Sequence, residues 1–572
     1  MTNMKNKYTD EINIQILISL LKQHGIRKII ASPGTTNLSF IASIQQDNWF
    51  EIFSAVDERA ASYMANGLAE ESGEIVVLSC TGATASRNYL PGLTEAYYRK
   101  LPIIAITSTQ NIGKIGQYAS QVIDRTIQFP DLVKTSVQIP TIYSSIEKEY
   151  TIRKINEAIL ECTHNMKGPV HINLATIYSQ NYNVEKIPVF RKIDRIQLNN
   201  TFPTLPQGKI GIYIWSHLPM TKQETNAIDK FCEVNNAVVI CDLVSNYYGK
   251  FRFLATLTNS QEKDLGTKKF DLIINIGYVH GNSIPVFAKE EWRVNPDGII
   301  RDRDNNLTKV FEMEEIEFFK HYCTGKSANC SLKKICDENY RYVFKKIPDL
   351  PFSNMWIAKN LSKDIPPNSI LHLGILNSLR CWNYFEIGKD INCYTNSGGY
   401  GIDGCLSSFI GACYTHSEGE CYLIIGDLSF FYDVNTIINK VPNNAHILVV
   451  NNGVGTEFKN YNHPAAKFGV LADNFIAAKG HNGFKSKTLL QDIARVNNFR
   501  YLSAFSKEEF INSSAEWLKS SNSPIIMEVF TNDFEESKAI QIMNTLVCDN
   551  SLKGKLKKTK FGRYIKKLIG RG

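Results

Sequence analysis

The sequence predicts an α/β protein of three doubly wound parallel-sheet domains. Three observations carry this. Short apolar β-type runs recur along the chain, and each ends in a polar or glycine-bearing turn that feeds a helical pattern. That alternation, with short loops, is the pattern of parallel sheets covered by helices on both faces. The chain has 572 residues, too long for one ordinary core and suited to about three domains. Its 43% hydrophobic and 21% charged residues describe a globular chain, and no apolar run approaches the roughly 18 residues that span a bilayer.

The elements follow in order. In residues 1–183, Glu11–His24 reads as an amphipathic helix. Strands are expected at Lys28–Ala31, Phe53–Val56, Glu74–Ser79, Ile103–Thr107 and Pro169–Leu174. The first ends in Ser32-Pro33-Gly34-Thr35-Thr36-Asn37, the second in Asp57-Glu58-Arg59, the third in Cys80-Thr81-Gly82-Ala83-Thr84-Ala85. Ala60–Ala69 is a helix of small residues, which implies close packing on a neighbour. Residues 184–205 read as a linker, bounded by Pro188, Pro203 and Pro206. Residues 206–345 form a second α/β unit, with strands Ile210–Trp215, Ala237–Cys241 and Leu272–Gly277 and a helix at Lys222–Asn235. It has no Gly-x-Gly-x-x-Gly, so no dinucleotide is expected there. Gly281, Gly298 and the Arg301–Asn306 charge cluster read as loop surface. Residues 346–548 hold strands Ile370–Leu373, Ile391–Thr395, Tyr422–Ile425, His446–Val450 and Ile525–Phe530, with helices at Asp403–Tyr414 and Asp433–Lys440. The first and third units are expected to be similar sheets.

The net charge of +8 belongs to the end of the chain. Nine of the 64 basic residues lie from Lys553 onward with no acid among them, which leaves 55 basic against 56 acidic residues before it. A nucleic-acid enzyme carries its basic groups on the folded body, so nucleic acid is not expected as a substrate. In the tail, residues 549–572, Phe561, Tyr564, Ile565, Leu568 and Ile569 recur at helical spacing opposite Lys and Arg. This is the pattern of an interfacial amphipathic helix, with peripheral membrane contact through residues 552–572; a solvated tail is the other reading. Thirteen cysteines without a Cys-x-x-Cys pair point to reduced thiols, not disulfides or zinc. The N-terminus carries no apolar signal segment, so a cytoplasmic protein is expected.

Chemistry concentrates between Ile424 and Phe458. Two apolar runs, Tyr422–Ile425 and Ile447–Val450, each end in a polar turn. One turn offers the Asp427 carboxylate, the other the carboxamides of Asn451 and Asn452. Ligands gather at the carboxyl ends of parallel strands. Asp and Asn oxygens with a backbone carbonyl suit a hard Mg2+ ion and a diphosphate.

Asp57-Glu58-Arg59, Gly426-Asp427 and Asn451-Asn452, in that order, resemble the thiamine diphosphate (ThDP) enzymes of the pyruvate-decarboxylase and acetohydroxyacid-synthase type. Within them the chain most resembles the menaquinone-pathway 2-succinyl-5-enolpyruvyl-6-hydroxy-3-cyclohexene-1-carboxylate synthases. The stretches that carry this are Ser32-Pro33-Gly34, Asp57-Glu58-Arg59, Cys80 to Ala85 with Asn88-Tyr89, Gly168 to Asn173, Asn377-Ser378-Leu379, Gly401-Ile402-Asp403-Gly404 and Gly426-Asp427-Leu428-Ser429. Leu428, where most ThDP enzymes have Gly, is characteristic of that subgroup. The likeness spans about residues 10–540 and implies a pyrimidine-binding domain, a middle domain and a diphosphate-binding domain.

The resemblance also implies roles. Glu58 matches the Glu that hydrogen-bonds the cofactor pyrimidine and relays the proton chemistry; taken alone it is also an ordinary acid at a helix N-terminus. Asp427, Asn452 and the Val454 carbonyl match the Mg2+ ligands. Gly426, Leu428 and Ser429 lie at the diphosphate, and Ile402 sits beneath the cofactor, a position a core residue also fits. Thr84 and Asn88 line the cavity near the cofactor. Gln121 matches a catalytic cavity residue, or else is a surface loop amide. Phe458 matches an apolar cavity residue. Asn377 and Ser378 belong to the substrate region, as do Thr35 and Thr36.

Two departures concern substrate. The subgroup has Ser-Pro-Gly-Ser-Arg where this chain has Ser32-Pro33-Gly34-Thr35-Thr36, and Ser-Asn-Arg-Gly where it has Thr395-Asn396-Ser397-Gly398. Neither Thr36 nor Ser397 replaces a bidentate Arg on a carboxylate. Arg380 or Arg125 is the candidate to take over. The expected function is Mg2+- and ThDP-dependent decarboxylation of a 2-oxo acid donor, with transfer of the acyl-anion equivalent to an unnamed acceptor, in a homodimer or dimer of dimers. A simple 2-oxo-acid decarboxylase of phosphonopyruvate type and an inactive binding subunit of the same fold are the alternatives. The absence of a His-His pair among the eleven His residues leans towards carboligation.

Overall fold

A computed structural model describes residues 7–281, 284–325, 329–416, 419–480 and 486–548. The tail expected to be amphipathic, residues 549–572, lies outside them. The chain divides into two compact units, one ending at Gln197 but including Ile299–Val310, the other holding Leu198–Gly298 and the chain from Phe311.

The first unit is one six-stranded parallel sheet. Its strands are β1 (Lys28–Ala31), β2 (Glu51–Ser54), β3 (Val76–Cys80), β4 (Ile103–Thr109), β5 (Ser136–Ile139) and β6 (Val170–Ala175), in the order β2-β1-β3-β4-β6-β5. Every residue of β3, β4 and β6 is buried. That is why they read as near-continuous apolar runs: helices cover both faces. Ile12–Gln23 and Ser145–Glu161 bury Leu17, Ile155 and Ile159 on one face. Glu58–Ser72 and Leu90–Arg99 bury Ala61, Ala65, Leu93 and Ala96 on the other. The small-residue helix has its close neighbour. A Cβ at Gly92 would stand 2.5 Å from Ser62 Cβ, and the Asn66 amide donates to Gly92 O at 2.9 Å.

Two expectations change here. Within residues 184–205, read as a linker, Asp194–Gln197 form strand β7. It is anchored by Ile193, fully buried against Ile300, Leu307 and Val310. The Arg301–Asn306 cluster is likewise not all surface. Asp302 is buried and receives Arg191 Nη1 at 2.8 Å, while Arg191 Nη2 reaches Glu149 at 2.9 Å. Apolar residues spaced among charges hid both features.

In the second unit, β8 (Ile210–Ile214), β9 (Val238–Cys241), β10 (Arg252–Leu254), β11 (Lys269–Ile276) and β12 (Phe287–Val294) pair in parallel in the order β10-β9-β8-β11-β12. Gly281, expected on loop surface, is buried. After β13 (Leu307–Glu312) comes a second six-stranded sheet: β14 (Ile370–Leu373), β15 (Asn392–Tyr394), β16 (Cys421–Gly426), β17 (Ala445–Asn451), β18 (Arg500–Ala504) and β19 (Ile525–Phe530). Its order is β15-β14-β16-β17-β19-β18. Ranked along the chain, both six-stranded sheets run second, first, third, fourth, sixth, fifth, so the first and third sheets share one topology.

The helix expected at Asp433–Lys440 is displaced. An α-helix runs over Asp427–Tyr432 and a 3-10 turn over Val434–Ile438. Asp433 turns inward instead, accepting from Ser407 N and Oγ, each at 2.6 Å. The β-branched Val434, Thr436, Ile437 and Ile438 are poor helix formers.

The Arg191 cluster gives a stability test. Asp302→Ala leaves a mostly buried guanidinium short of a partner, a loss of about 3 kcal/mol. Hydrogen exchange at the β6 amides reads it locally, without assuming that the chain unfolds in one step.

Candidate active site

In the first unit the strand-end turns pack together. A Cβ at Gly34 would stand 2.5 Å from Thr81 Cβ, so the turns after β1 and β3 meet where only glycine fits. Asn37 Nδ2 ties back to Ser32 O at 2.9 Å. Thr36 is buried; its hydroxyl meets Thr81 Oγ1 at 2.5 Å and donates to Ser108 O at 3.2 Å. Its neighbour Thr35 is exposed.

Asp57 fixes the start of the next helix by accepting from Arg59 N at 2.8 Å and Ala60 N at 3.1 Å. That places Glu58, half-buried, at the first helical position, favourable for a carboxylate. Its charge reaches Cys80 and Tyr89. Burial pushes the Cys80 thiol up to about 12 and raises the Tyr89 phenol as well, so neither ionises near neutrality. The Thr84–Asn88 helix follows Ala83, held at φ 54° and ψ −128°. A non-glycine residue stays there only where its surroundings hold it, and such strain clusters at functional sites. Thr84, Asn88 and Gln121 are exposed. Gln121, at φ 63°, has its carbonyl against Gly82: a Cβ on Gly82 would be 2.9 Å from it.

In the second unit, β16 and β17 lie side by side with Gly426 opposite Val450. Their turns are joined by one hydrogen bond: Gly453 N donates to Asp427 Oδ2 at 3.0 Å. Asp427 is 2% exposed. Gly453, at φ 71°, makes the left-handed turn this closure needs. The two carboxamides part company. Asn451 points into the sheet and donates to Glu528 Oε1 at 2.7 Å. Asn452 keeps a buried Oδ1 with no hydrogen-bond partner. Val454 is buried beside them. Among the described residues no group of three His, Cys, Asp or Glu is placed to hold a metal. Asp427, Asn452 and the Val454 carbonyl make a different donor set, all oxygen, which fits Mg2+, and the orphaned Asn452 Oδ1 fits a ligand position. Leu428 is half-buried, and Gly426 has open space where a side chain would stand, so a phosphate can approach its backbone. The Ser429 hydroxyl, expected to face phosphate, donates to Ile402 O at 2.5 Å and ties these two segments together. Ile402 packs on the core of this unit.

Behind the turn lie buried carboxyls. Glu528 accepts from Asn451 and, at 2.8 Å, from the Tyr501 hydroxyl. Burial, with the Asp427 charge added, raises its pKa. Glu536 accepts from Thr531 Oγ1 at 2.7 Å and from Asn354 N at 3.0 and 3.1 Å. Burial first, then the charges of Glu535 and Asp427, lift it to about 7.

Among the substrate candidates, the Asn377 amide meets the Thr456 hydroxyl at 2.5 Å, and Ser378 Oγ accepts from Asn354 Nδ2 at 3.2 Å. Ser397 is buried. Phe458 packs edge-on against His463, ring centres 5.4 Å apart. Arg380 does not stand free for a carboxylate: it is ion-paired with Glu457. That pair edges a cavity of about 610 Å3 lined also by Tyr384, Asn460, Tyr461 and His463. Glu457 and Asn460 were not singled out from the sequence; the signal was a charged residue, Glu457, beside apolar Phe458.

Residues 14–127 match the family described as "Thiamine pyrophosphate enzyme, N-terminal TPP binding domain". The chain is also similar along most of its length to proteins named 2-succinyl-5-enolpyruvyl-6-hydroxy-3-cyclohexene-1-carboxylate synthase. That of Bacteroides thetaiotaomicron is 29% identical, over 93% of this chain and 98% of its own. That of Phocaeicola vulgatus is 28% identical over 93% and 98%, and that of Flavobacterium johnsoniae 27% over 91% and 96%.

Glu536 supplies a pH test. Its folded pKa of about 7 lies above the ordinary 4.5, so folding takes up a proton between those values. The stability it contributes is full below about pH 4.5 and is lost as pH rises through 7, at up to about 1.4 kcal/mol per unit. Glu536→Gln removes that component, and chemical denaturation at a series of pH values shows a flatter profile than wild type across this window.

Proposed function

We propose that the chain is a ThDP enzyme, one that decarboxylates a 2-oxo acid with ThDP and Mg2+ and passes the resulting acyl-anion equivalent to an acceptor; the match of residues 14–127 and the likeness along most of the chain support this. The observation that carries this reading is the closure of Asp427 onto Gly453 beside the unpartnered Asn452 oxygen. Asp427, Asn452 and the Val454 carbonyl would hold Mg2+, with the Gly426 backbone towards the diphosphate. When bound, ThDP supplies the electron sink for loss of CO2 and the carbanion equivalent that is passed on. Glu58, fixed by the Asp57 cap, holds and exchanges a proton at the pyrimidine ring. Ile402 supports the cofactor from below, and Thr84, Asn88 and Gln121 face the reaction space.

The substrates differ from those that the subgroup's arginines hold. Thr36 spends its hydroxyl on its own domain, and Arg380 is neutralised by Glu457. The cavity beside that pair offers hydrogen bonds with little net charge, which suits a polar, uncharged part of the acceptor. A homodimer is supported by the exposed Tyr63, Met64, Ile127 and Phe129 on the first unit, apolar surface that a second copy would cover. No helix among the described residues is long and apolar enough to cross a membrane. A cytoplasmic enzyme with peripheral contact through residues 552–572 is consistent with that.

A panel of 2-oxo acids, with mass-spectrometric detection of the cofactor adduct, identifies the donor. Free aldehyde as the sole product from the oxo acid, with no acceptor consumed, would replace transfer by plain decarboxylation. Glu58→Gln lowers turnover about 10²- to 10⁴-fold while cofactor binding, read by fluorescence quenching, changes little; unchanged turnover defeats the mechanism. For the tail, full-length protein co-sediments with anionic liposomes in a salt-sensitive manner and protein lacking residues 552–572 does not.

A further inference from the structure

Arg125 is 1% exposed in the first unit. Nη2 donates to Ser108 O at 3.1 Å, the same carbonyl that accepts from Thr36. Nε and Nη1 meet no acceptor. No carboxylate pairs with it among the described residues; the charges that act on it are those of Cys80 and Arg87. Cys80 is a neutral thiol, and Arg87 has the same sign as Arg125. Burial lowers Arg125 to about 10, which leaves it cationic at neutral pH. His171 adds no anion either. It is held neutral between Thr107 Oγ1 at 2.7 Å and Ser136 Oγ at 2.8 Å, with its pKa lowered to about 3 by burial and the two arginines.

An unpaired buried charge costs several kcal/mol. Arg125, Arg87 and His171, with Ser86, Tyr89 and Thr107, line a cavity of about 10 Å3, room for roughly one water-sized body. Two arginines line it, and the carboxylates that act nearby, Asp124 on Arg87 and Glu58 on Tyr89, form no ion pair with Arg125 among the described residues. The Tyr89 hydroxyl adds a further donor: it faces Cys80 and Ser32 without a well-formed hydrogen bond to either. The Gly82 turn lies against the same guanidinium, with Arg125 Nη1 3.6 Å from where a Cβ on Gly82 would stand.

We propose that Arg125, with Arg87 at its side, seats a compact monoanion under the Gly82 turn: a halide or the head of a small carboxylate. The anion supplies the charge that the fold leaves out and braces the turn that leads to Thr84. The site does not depend on the ThDP reading. It takes a free inorganic ion or the carboxylate of a small acid through the same donors.

Thermal unfolding at matched ionic strength separates these sources. Against gluconate, too large for the cavity, chloride, bromide and formate raise the unfolding temperature saturably by several degrees. If pyruvate does so while halide and formate do not, the seat reads a substrate carboxylate. Arg125→Gln, similar in shape and uncharged, loses the response. An equal response in wild type and Arg125→Gln overturns the proposal. Should the variant fail to fold, crystals grown from the wild-type protein and soaked in bromide decide: anomalous density within hydrogen-bonding reach of Arg125 Nε or Nη1 supports the seat, and its absence at full bromide overturns it.

Discussion

One hydrogen bond joins the strand-end turns of the second six-stranded sheet: Gly453 N to Asp427 Oδ2. Parallel strands leave their carboxyl ends side by side, but nothing in a sheet makes the turns beyond them agree. Here a carboxylate closes the gap. It ties the chain just after β17, between Asn452 and Val454, to the Asp427 side chain. It needs a positive φ at residue 453, and glycine supplies it at no steric cost. Separate contacts fix its surroundings: Ser429 ties to Ile402, and Arg380 holds the loop that carries Glu457 and Phe458.

The closure is held from behind by buried polar groups. Asn451 could have competed with Asn452 for the site. Glu528 prevents it by taking the Asn451 amide into the sheet. Glu528 is in turn held by Tyr501, from an edge strand. Burial raises the proton affinity of Glu528 and Glu536, and the charge of Asp427 adds to it in each case.

The legible part of the fold was the part buried on both faces. β3, β4, β6, β16, β17 and β19 are buried along almost their whole length and mainly apolar, and they stand out in the sequence. β5 and β18 lie at sheet edges, half-buried, and carry no such run. β12 carries Lys289, Glu290, Glu291 and Arg293, with neighbours such as Asp297 and Trp292 meeting Arg293 and Glu290, and so it has no apolar run to mark it as a strand. The site divides the same way. Asp427 and Asn452 follow from strand-end chemistry. The difference between Asn451 and Asn452 does not, because it depends on a side chain of β19 far along the chain. The fate of Arg380 was equally hidden, since it rests on Glu457, 77 residues away.

The two six-stranded sheets share one strand order but use their strand ends differently. The turns carry Glu58 on a capped helix in one sheet and Asp427 with Asn452 in the other. Backbone geometry sets where those residues sit, so residue type and order are enough to mark them. Substrate recognition asks where long, flexible side chains come to rest. Thr36 and Ser397 are short and buried, and the Thr36 hydroxyl is taken up by its own domain. The arginines that remain are governed by what they meet. Arg380 meets Glu457 and is neutralised; Arg125 meets no carboxylate and stays charged. The same residue type at two sites thus has opposite consequences. The deciding quantity is the partner within about 4 Å, which tertiary packing fixes and local sequence does not.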